Sequence, residues 1–105
     1  MKMSDTLMKI KSLEKYCQMN KTDQMIDSAL SKLIELKISE LNREIDDLQN
    51  ELKRFEFKYR LDSEQFFQQF NAGQLGDSFD FTEWIAIYKM LHNRIKDKTM
   101  LLGQG

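Results

Sequence analysis

The feature that most constrains this chain is a hydrophobic repeat between Ile34 and Tyr59. Its apolar residues follow one another at steps of four and three, the 3.5-residue period that keeps one seam of a helix facing another helix. At a rise of ~1.5 Å per residue the repeat is roughly 40 Å long. It predicts one long helix that meets a partner helix through a seam, whose residues are Ile34, Ile38, Leu41, Ile45, Leu48, Leu52, Phe55 and Tyr59.

The rest of the chain is also predicted to be helical, because residues that break helices are rare. Proline is absent, and the four glycines are confined to one interior loop, Gly73 to Gly76, and to the C-terminus. Charged residues make up 31% and hydrophobic residues 41% of the chain, a balance that suits amphipathic helices. We therefore predict an all-α fold.

Three segments are predicted within that fold. Residues 1–36 form an N-terminal helical hairpin core, in which a first helix over residues 4–19 packs against the start of the second. Residues 34–60 are the oligomerising, coiled-coil-like part of this long central helix. Residues 61–105 form an aromatic C-terminal helix pair joined by a Gly-Asp loop.

Polar residues predict the helix boundaries. Asn20 is suited to end the first helix, and Thr22 or Asp23 to cap the second. The spacings Asp62–Gln65 and Asp80–Glu83 are those of capping boxes and predict the starts of the two C-terminal helices.

The seam predicts a homo-oligomer, with a dimer favoured. Isoleucine at a positions and leucine at d positions favour a parallel pair, but Glu51 would then face Glu56 of the other chain, so the orientation is open. A further possibility is that the C-terminal helix folds back and fills much of the seam within one chain. The predicted oligomer interface consists of Ile34, Ile38, Leu41, Ile45, Leu48, Leu52 and Phe55.

Most of the aromatic residues lie between Phe55 and Tyr88. One interpretation is a small core where the last two helices fold back on the long one. The other is that some of these side chains stay exposed and bind a partner, as aromatic residues do at interface centres. With Trp84 as the first choice of anchor, the predicted partner-binding residues are Phe81, Trp84, Tyr88 and Leu91.

The residue types that carry catalysis or bind metals are scarce. His92 is the only histidine, and no cysteine stands near it at metal-ligand spacing. Cys17 lies on the apolar face of the first helix, where a buried inert thiol is expected. Asp46, Asp47 and Glu51 are expected to form a solvated face. We predict a non-enzymatic protein without a metal or cofactor.

The composition also bears on location and partners. A single cysteine forms no internal disulfide, no apolar run is long enough to span a membrane, and residues 1–20 lack the apolar core of a signal peptide. We therefore expect a cytoplasmic protein without a membrane partner. The net charge of −1 gives no overall attraction to nucleic acid.

Two segments resemble known families. The segment Leu13 to Leu36, two helical stretches around the polar turn at residues 19–26, is similar to the helical half of ribbon-helix-helix proteins, in which it forms the dimer core. The ordered block Phe55-Glu56-Phe57-Lys58-Tyr59, Asp62 to Phe67, Gly73 to Asp77 and Asp80 to Trp84 resembles the C-terminal half of small prokaryotic antitoxin-like proteins, of the type paired with TumE-like toxins.

The antitoxin resemblance implies an oligomer that binds and neutralises a toxin encoded beside it. This is the predicted function: the long helix makes the oligomer and the C-terminal half binds the protein partner. The alternative is a DNA-binding transcriptional regulator built on the N-terminal hairpin. Residues 2–7 lack the alternation by which ribbon-helix-helix proteins set side chains into the major groove, so DNA binding stays the second choice.

Overall fold

A computed structural model describes residues 3–19 and 23–103, and all of their regular structure is helical. The helices are α1 (Met3–Met19), α2 (Gln24–Tyr59), α3 (Ser63–Asn71) and α4 (Phe79–Leu101). The 36 residues of α2 span roughly 54 Å at a rise of ~1.5 Å per residue. The predicted all-α class, with a long central helix followed by a helix pair, is confirmed.

The chain divides into two units, Met1–Leu33 and Ile34–Gly105, with the boundary inside α2. We call them the N-terminal unit and the C-terminal unit. The hydrophobic core lies in the C-terminal unit, where α3 and α4 cover the seam of α2. The buried core residues are Ile45, Leu48, Leu52, Phe66, Trp84, Ile85, Ile87, Tyr88 and Leu91.

Helix α4 runs antiparallel to α2 along the seam. Near the start of α4, the ring of Trp84 is stacked 5.5 Å from Phe55 and 5.7 Å from Tyr59. Ten residues further on, Arg94 Nε lies 4.0 Å from Glu44 Oε1. The structure therefore shows the possibility in which the C-terminal helix fills the seam within one chain.

Helix α3 packs against the core formed by α2 and α4. The ring centroids of Phe66 and Trp84 are 3.8 Å apart with almost parallel planes, and both side chains are fully buried. The indole Nε1–H of Trp84 donates to the buried Ser63 Oγ at 2.9 Å, which satisfies the one polar atom of that ring. Glu56 of α2 accepts a hydrogen bond from the backbone N–H of Ser63 at 2.9 Å. These contacts set the position of α3 against both long helices.

Two of the predicted helix caps are confirmed and one is wrong. Asp23 accepts from the Ile26 N–H at 3.0 Å, and Asp62 accepts from the Gln65 N–H at 2.8 Å. Helix α4 is capped by Ser78, not by Asp80, because the Ser78 hydroxyl accepts from the Phe81 N–H at 3.2 Å. Asp80 instead lies in the first turn and turns its carboxylate toward α2. The predicted roles of Asn20 and Thr22 lie outside the described residues.

The sequence does not indicate where α2 ends, because an arginine and not a glycine follows its last residue. Arg60 takes the left-handed conformation with φ of 53°, and the Leu61 N–H donates to the Glu56 carbonyl at 3.2 Å. This is the Schellman pattern, in which glycine usually holds the left-handed position. Gly73 holds it after α3, with φ of 74°. Arginine at this position costs about 1 kcal/mol relative to glycine.

We therefore expect Arg60→Gly to stabilise the C-terminal unit, by up to about 1 kcal/mol, because glycine adopts this backbone conformation without a Cβ clash. Urea unfolding followed by the fluorescence of Trp84, the single tryptophan, measures the change.

Gly73→Ala is the matched control with the opposite sign. A Cβ at Gly73 meets no atom within 4 Å, so only the positive φ penalises alanine there. An Arg60→Gly variant that unfolds at lower urea than the parent would contradict the assignment of strain to residue 60.

Candidate protein-interaction surface

The central residues of the predicted oligomer interface are core residues of a single chain. Leu41, Ile45, Leu48 and Leu52 are each at most 9% exposed. Phe55 is half-buried against Trp84, while Ile38 is half-buried and Ile34 is exposed. This corrects the expectation that the middle of the seam faces a second chain, because α4 of the same chain already occupies it.

The predicted partner-binding residues are also packed inside the C-terminal unit. Trp84 is fully buried, Tyr88 and Leu91 are buried, and Phe81 is half-buried with its ring 5.3 Å from that of Tyr59. Their burial corrects the expectation that they form an exposed docking surface. The alternative interpretation, a small aromatic core, describes these side chains.

A polar cluster ties the end of α2 to the start of α4. Asp80 Oδ2 accepts hydrogen bonds from Lys58 Nζ and from the Tyr59 hydroxyl, each at 2.6 Å. The hydrogen bond from Lys58, then that from Tyr59, holds the pKa of Asp80 below its usual value. The same hydrogen bond from Lys58 raises the pKa of that ammonium group. The cluster is a structural clamp between helices.

Tyr88 connects α4 to α3 through a second polar contact. Its hydroxyl donates to Glu64 Oε1 at 2.6 Å. Burial, followed by this hydrogen bond, raises the pKa of Tyr88 to about 12, so the phenol stays neutral at physiological pH. His92 packs on the Tyr88 ring at 4.3 Å, and its Nδ1 lies 3.0 Å from the Tyr88 carbonyl oxygen. Tyr88 thus bonds to Glu64 of α3, and His92 packs on Tyr88 within α4.

A groove opens between α2 and α4 at the end of the unit that lies away from α3. The contacts of α3 fall on the first half of α4, and α3 has only nine residues, whereas α4 has 23. Further along α4, Ile95 is exposed although it follows Leu91 on the same face. We call this groove the open groove, and it is lined by Lys37, Leu41, Glu44, Arg94, Asp97, Met100 and Leu101.

The open groove has an apolar floor and a charged rim. Leu41 is 3% exposed at its floor, while Met100 is 57% exposed at its edge. On the rim, Arg94 Nη2 lies 3.3 Å from Asp97 Oδ2, and its Nε lies near Glu44. The rim charges therefore have partners within the unit.

The N-terminal unit differs from the C-terminal unit, whose apolar side chains form a buried core. None of residues 5–19 and 23–33 is buried, and Cys17, expected to be a buried thiol, is exposed. The described residues of this unit thus form no closed core, and the hairpin predicted for residues 1–36 stays a prediction. We call its large exposed aliphatic side chains the N-terminal apolar surface; they are Leu7, Met8, Ile10, Leu13, Met19, Met25, Leu30 and Leu33.

Metal binding and membrane insertion each require a particular arrangement of residues. Within them no three His, Cys, Asp or Glu side chains are grouped so as to hold a metal ion. Over the same residues, no helix combines the length and the apolar character needed to cross a membrane.

Comparison with protein-family models, with curated proteins and with solved structures finds no match to this chain. The resemblances to antitoxin-like and ribbon-helix-helix proteins therefore stay predictions.

Sequence reasoning missed the open groove and the residues of its α4 side, Arg94, Asp97, Met100 and Leu101. The lengths of the C-terminal segments could have indicated the groove. The segment between the Asp62 cap and Gly73 is too short for α3 to run beside the whole of α4, so part of the seam has only two helices around it.

The clamp at Asp80 makes the stability of the C-terminal unit depend on pH. The lowered pKa of Asp80 means that its contribution is complete above the pKa of an unfolded aspartate, about 3.9, and is lost as the pH falls through the native pKa. We expect Asp80→Asn to lower the midpoint of thermal unfolding at pH 7, and the difference from the parent to shrink toward zero in acid. Circular dichroism melts between pH 7 and pH 2 measure it.

Asp77→Asn is the control for this pH series, because Asp77 is an exposed carboxylate of the loop before α4 for which the structure shows no hydrogen-bonded clamp. A gap between Asp80→Asn and the parent that stays constant down to pH 2 would show that the Asp80 carboxylate is not the clamp.

Proposed function

We propose that this chain is a non-enzymatic protein-binding module whose C-terminal unit receives a partner protein in the open groove. The observation that carries the proposal is a groove with a buried apolar floor at Leu41 and a half-exposed methionine, Met100, at its edge. Apolar surface of this kind, rimmed by polar residues, is typical of protein interaction sites. Methionine adapts its shape to different partners.

The charges of the rim define the chemistry of that partner. Arg94 is paired with Asp97 and lies near Glu44, and Lys37 is paired with Glu40. Because these charges already have partners, the groove does not select a strongly charged ligand. It suits a helix of the partner that inserts one or two aliphatic side chains between α2 and α4, in the helix-in-groove mode.

The antitoxin resemblance makes the product of the adjacent gene the first partner to test. In this proposal the aromatic residues stabilise the scaffold, and the groove beside them contacts the toxin. The partner-binding role thus moves from Trp84 and Tyr88 to Met100 and Leu101, which are on the same helix. Direct DNA binding by the hairpin stays the untested alternative, and the described residues of the N-terminal unit interleave lysines with acidic residues.

We expect Met100→Asp to reduce capture of this chain by the tagged product of the adjacent gene at least tenfold on co-expression, because the charge would be desolvated against Leu41 and Leu101. The side chain of Met100 is exposed in the free chain, so the fold is not expected to change. The measurement is the amount of this chain in the eluate relative to the bait.

Met90→Asp is the matched control, since Met90 is a comparably exposed methionine of α4, at 47%, that does not line the groove. Equal loss of capture in both variants would reject the groove as the binding site. No capture of the parent chain would remove the antitoxin proposal.

A further inference from the structure

Phe57 is a large apolar side chain that the packing of the C-terminal unit does not use. It lies two residues before the end of α2 and is 87% exposed, the highest value among the large hydrophobic residues that the structure describes. Phe55 and Tyr59, on either side of it in the sequence, both stack on Trp84. A phenylalanine exposed to this degree contributes little to the core, because its ring stays in water. The ring is therefore available to another molecule.

The residues around Phe57 on α2 are basic. Lys53 and Arg54 precede it by four and three residues, so the three side chains are neighbours on one face of the helix. Both basic side chains are exposed, and neither has an ion pair with any described residue. The helix dipole favours cations within the last turn of a helix, but Lys53 and Arg54 lie before that turn. Their placement thus has no explanation within the fold.

Arg60 adds a third cation directly after the helix. It is exposed and has no ion pair with a described residue, yet it holds the left-handed position that glycine adopts more easily. A residue that breaks a local rule without a compensating contact is typical of a functional position. We call Lys53, Arg54, Phe57 and Arg60 the basic-aromatic face.

The positive charge of this face is local, since the whole chain has a net charge of −1. Within residues 53–60 four basic residues stand against one acidic residue, Glu56. Glu56 is half-buried and accepts from the Ser63 N–H, and the fourth basic residue, Lys58, is paired with Asp80. The segment is ~10 Å long, about one Debye length at physiological salt, so its three unpaired cations act together on a bound anion.

A ligand that fits this face carries negative charges beside a flat apolar group. Single-stranded nucleic acid offers both, because its phosphates meet the cations and its unpaired bases stack on aromatic rings. A duplex offers phosphates but keeps its bases stacked on one another. An anionic membrane requires an apolar stripe along the helix, whereas the apolar stripe of α2 is buried in the core and Phe57 is the single apolar residue of this face.

We propose that the basic-aromatic face binds single-stranded nucleic acid without preference for sequence. One base stacks on Phe57, and the three cations hold the neighbouring phosphates. The open groove is lined by an earlier part of α2, from Lys37 to Glu44, so the two sites are separate and neither depends on the other. The site also differs from the DNA-binding alternative, which places the contact in the N-terminal hairpin.

The test is the fluorescence anisotropy of labelled oligouridine and oligothymidine of equal length, titrated with the full chain. We expect a dissociation constant on the order of 10 µM at low salt. It should rise about twentyfold between about 50 and 200 mM salt, because three phosphate contacts release counterions. Binding of either oligonucleotide supports the proposal, and the tighter of the two identifies the sugar. No binding of either one at ~100 µM protein and low salt overturns it.

Phe57→Ala isolates the stacking contact. We expect it to weaken binding of the single strand at least about fivefold, and to leave the affinity for a duplex of the same length unchanged, because paired bases do not reach the ring. Phe79→Ala is the matched control, since Phe79 is 81% exposed at the start of α4 and lies outside the face. Equal weakening in both variants, or equal weakening for single strand and duplex, overturns the proposal.

Lys53→Glu combined with Arg54→Glu isolates the charge, and is expected to weaken binding at least about tenfold. Lys89→Glu combined with Lys96→Glu makes the same change of net charge at exposed lysines of α4, and is expected to weaken it about twofold at most. Trp84 fluorescence checks the fold of each variant. Equal losses would show a diffuse attraction and overturn the proposal. Binding to phosphatidylserine vesicles or to polyglutamate, without binding of the oligonucleotides, would assign the face to a membrane or to an acidic protein and overturn it as well.

Discussion

The C-terminal unit depends on the stacking of Trp84 on Phe66. The two rings come from α4 and α3, and the same indole is stacked with Phe55 and Tyr59 of α2, so one side chain contacts all three helices. An indole buried in this way needs a partner for its N–H, and Ser63 at the start of α3 supplies it. Stacking places the planes of the rings, and the hydrogen bond sets the orientation of the indole within its plane.

This interaction accounts for the packing of α4 of the same chain on the seam of α2. A 3.5-residue repeat specifies that a helix packs against another helix, but not which chain that helix belongs to. Here the short connection through α3 returns α4 along the same seam. The aromatic residues at the start of α4 meet Phe55 and Tyr59, the two aromatic positions of the seam, and the aliphatic residues of α4 follow along Leu52, Leu48 and Ile45.

Helix content and most helix boundaries could be predicted from the sequence because they depend on local chemistry. The carboxylate of Asp62 caps α3 as its spacing indicates, since a cap involves only residues three apart. Asp80 has the same spacing but is drawn instead to Lys58 and Tyr59, and Ser78 takes the cap. The difference comes from a contact between residues more than 20 positions apart, which spacing alone does not reveal.

The candidate site was harder to predict for the same reason. Most of the aromatic residues lie between Phe55 and Tyr88, but aromatic residues are as effective in a core as at an interface, and only their packing decides between the two. Met100 and Leu101 resemble any apolar residues near a chain end. They become a groove wall because α3 ends before it reaches them, which is a property of the three-dimensional arrangement of the helices. Cys17 shows the converse case, because an apolar helix face is buried only where another surface covers it.

The two units therefore differ in how their stability is supplied. The C-terminal unit encloses its apolar side chains with its own helices, so its free energy of unfolding is a property of the single chain. The N-terminal unit leaves its large aliphatic side chains exposed, so the burial of apolar surface contributes little to its free energy of unfolding.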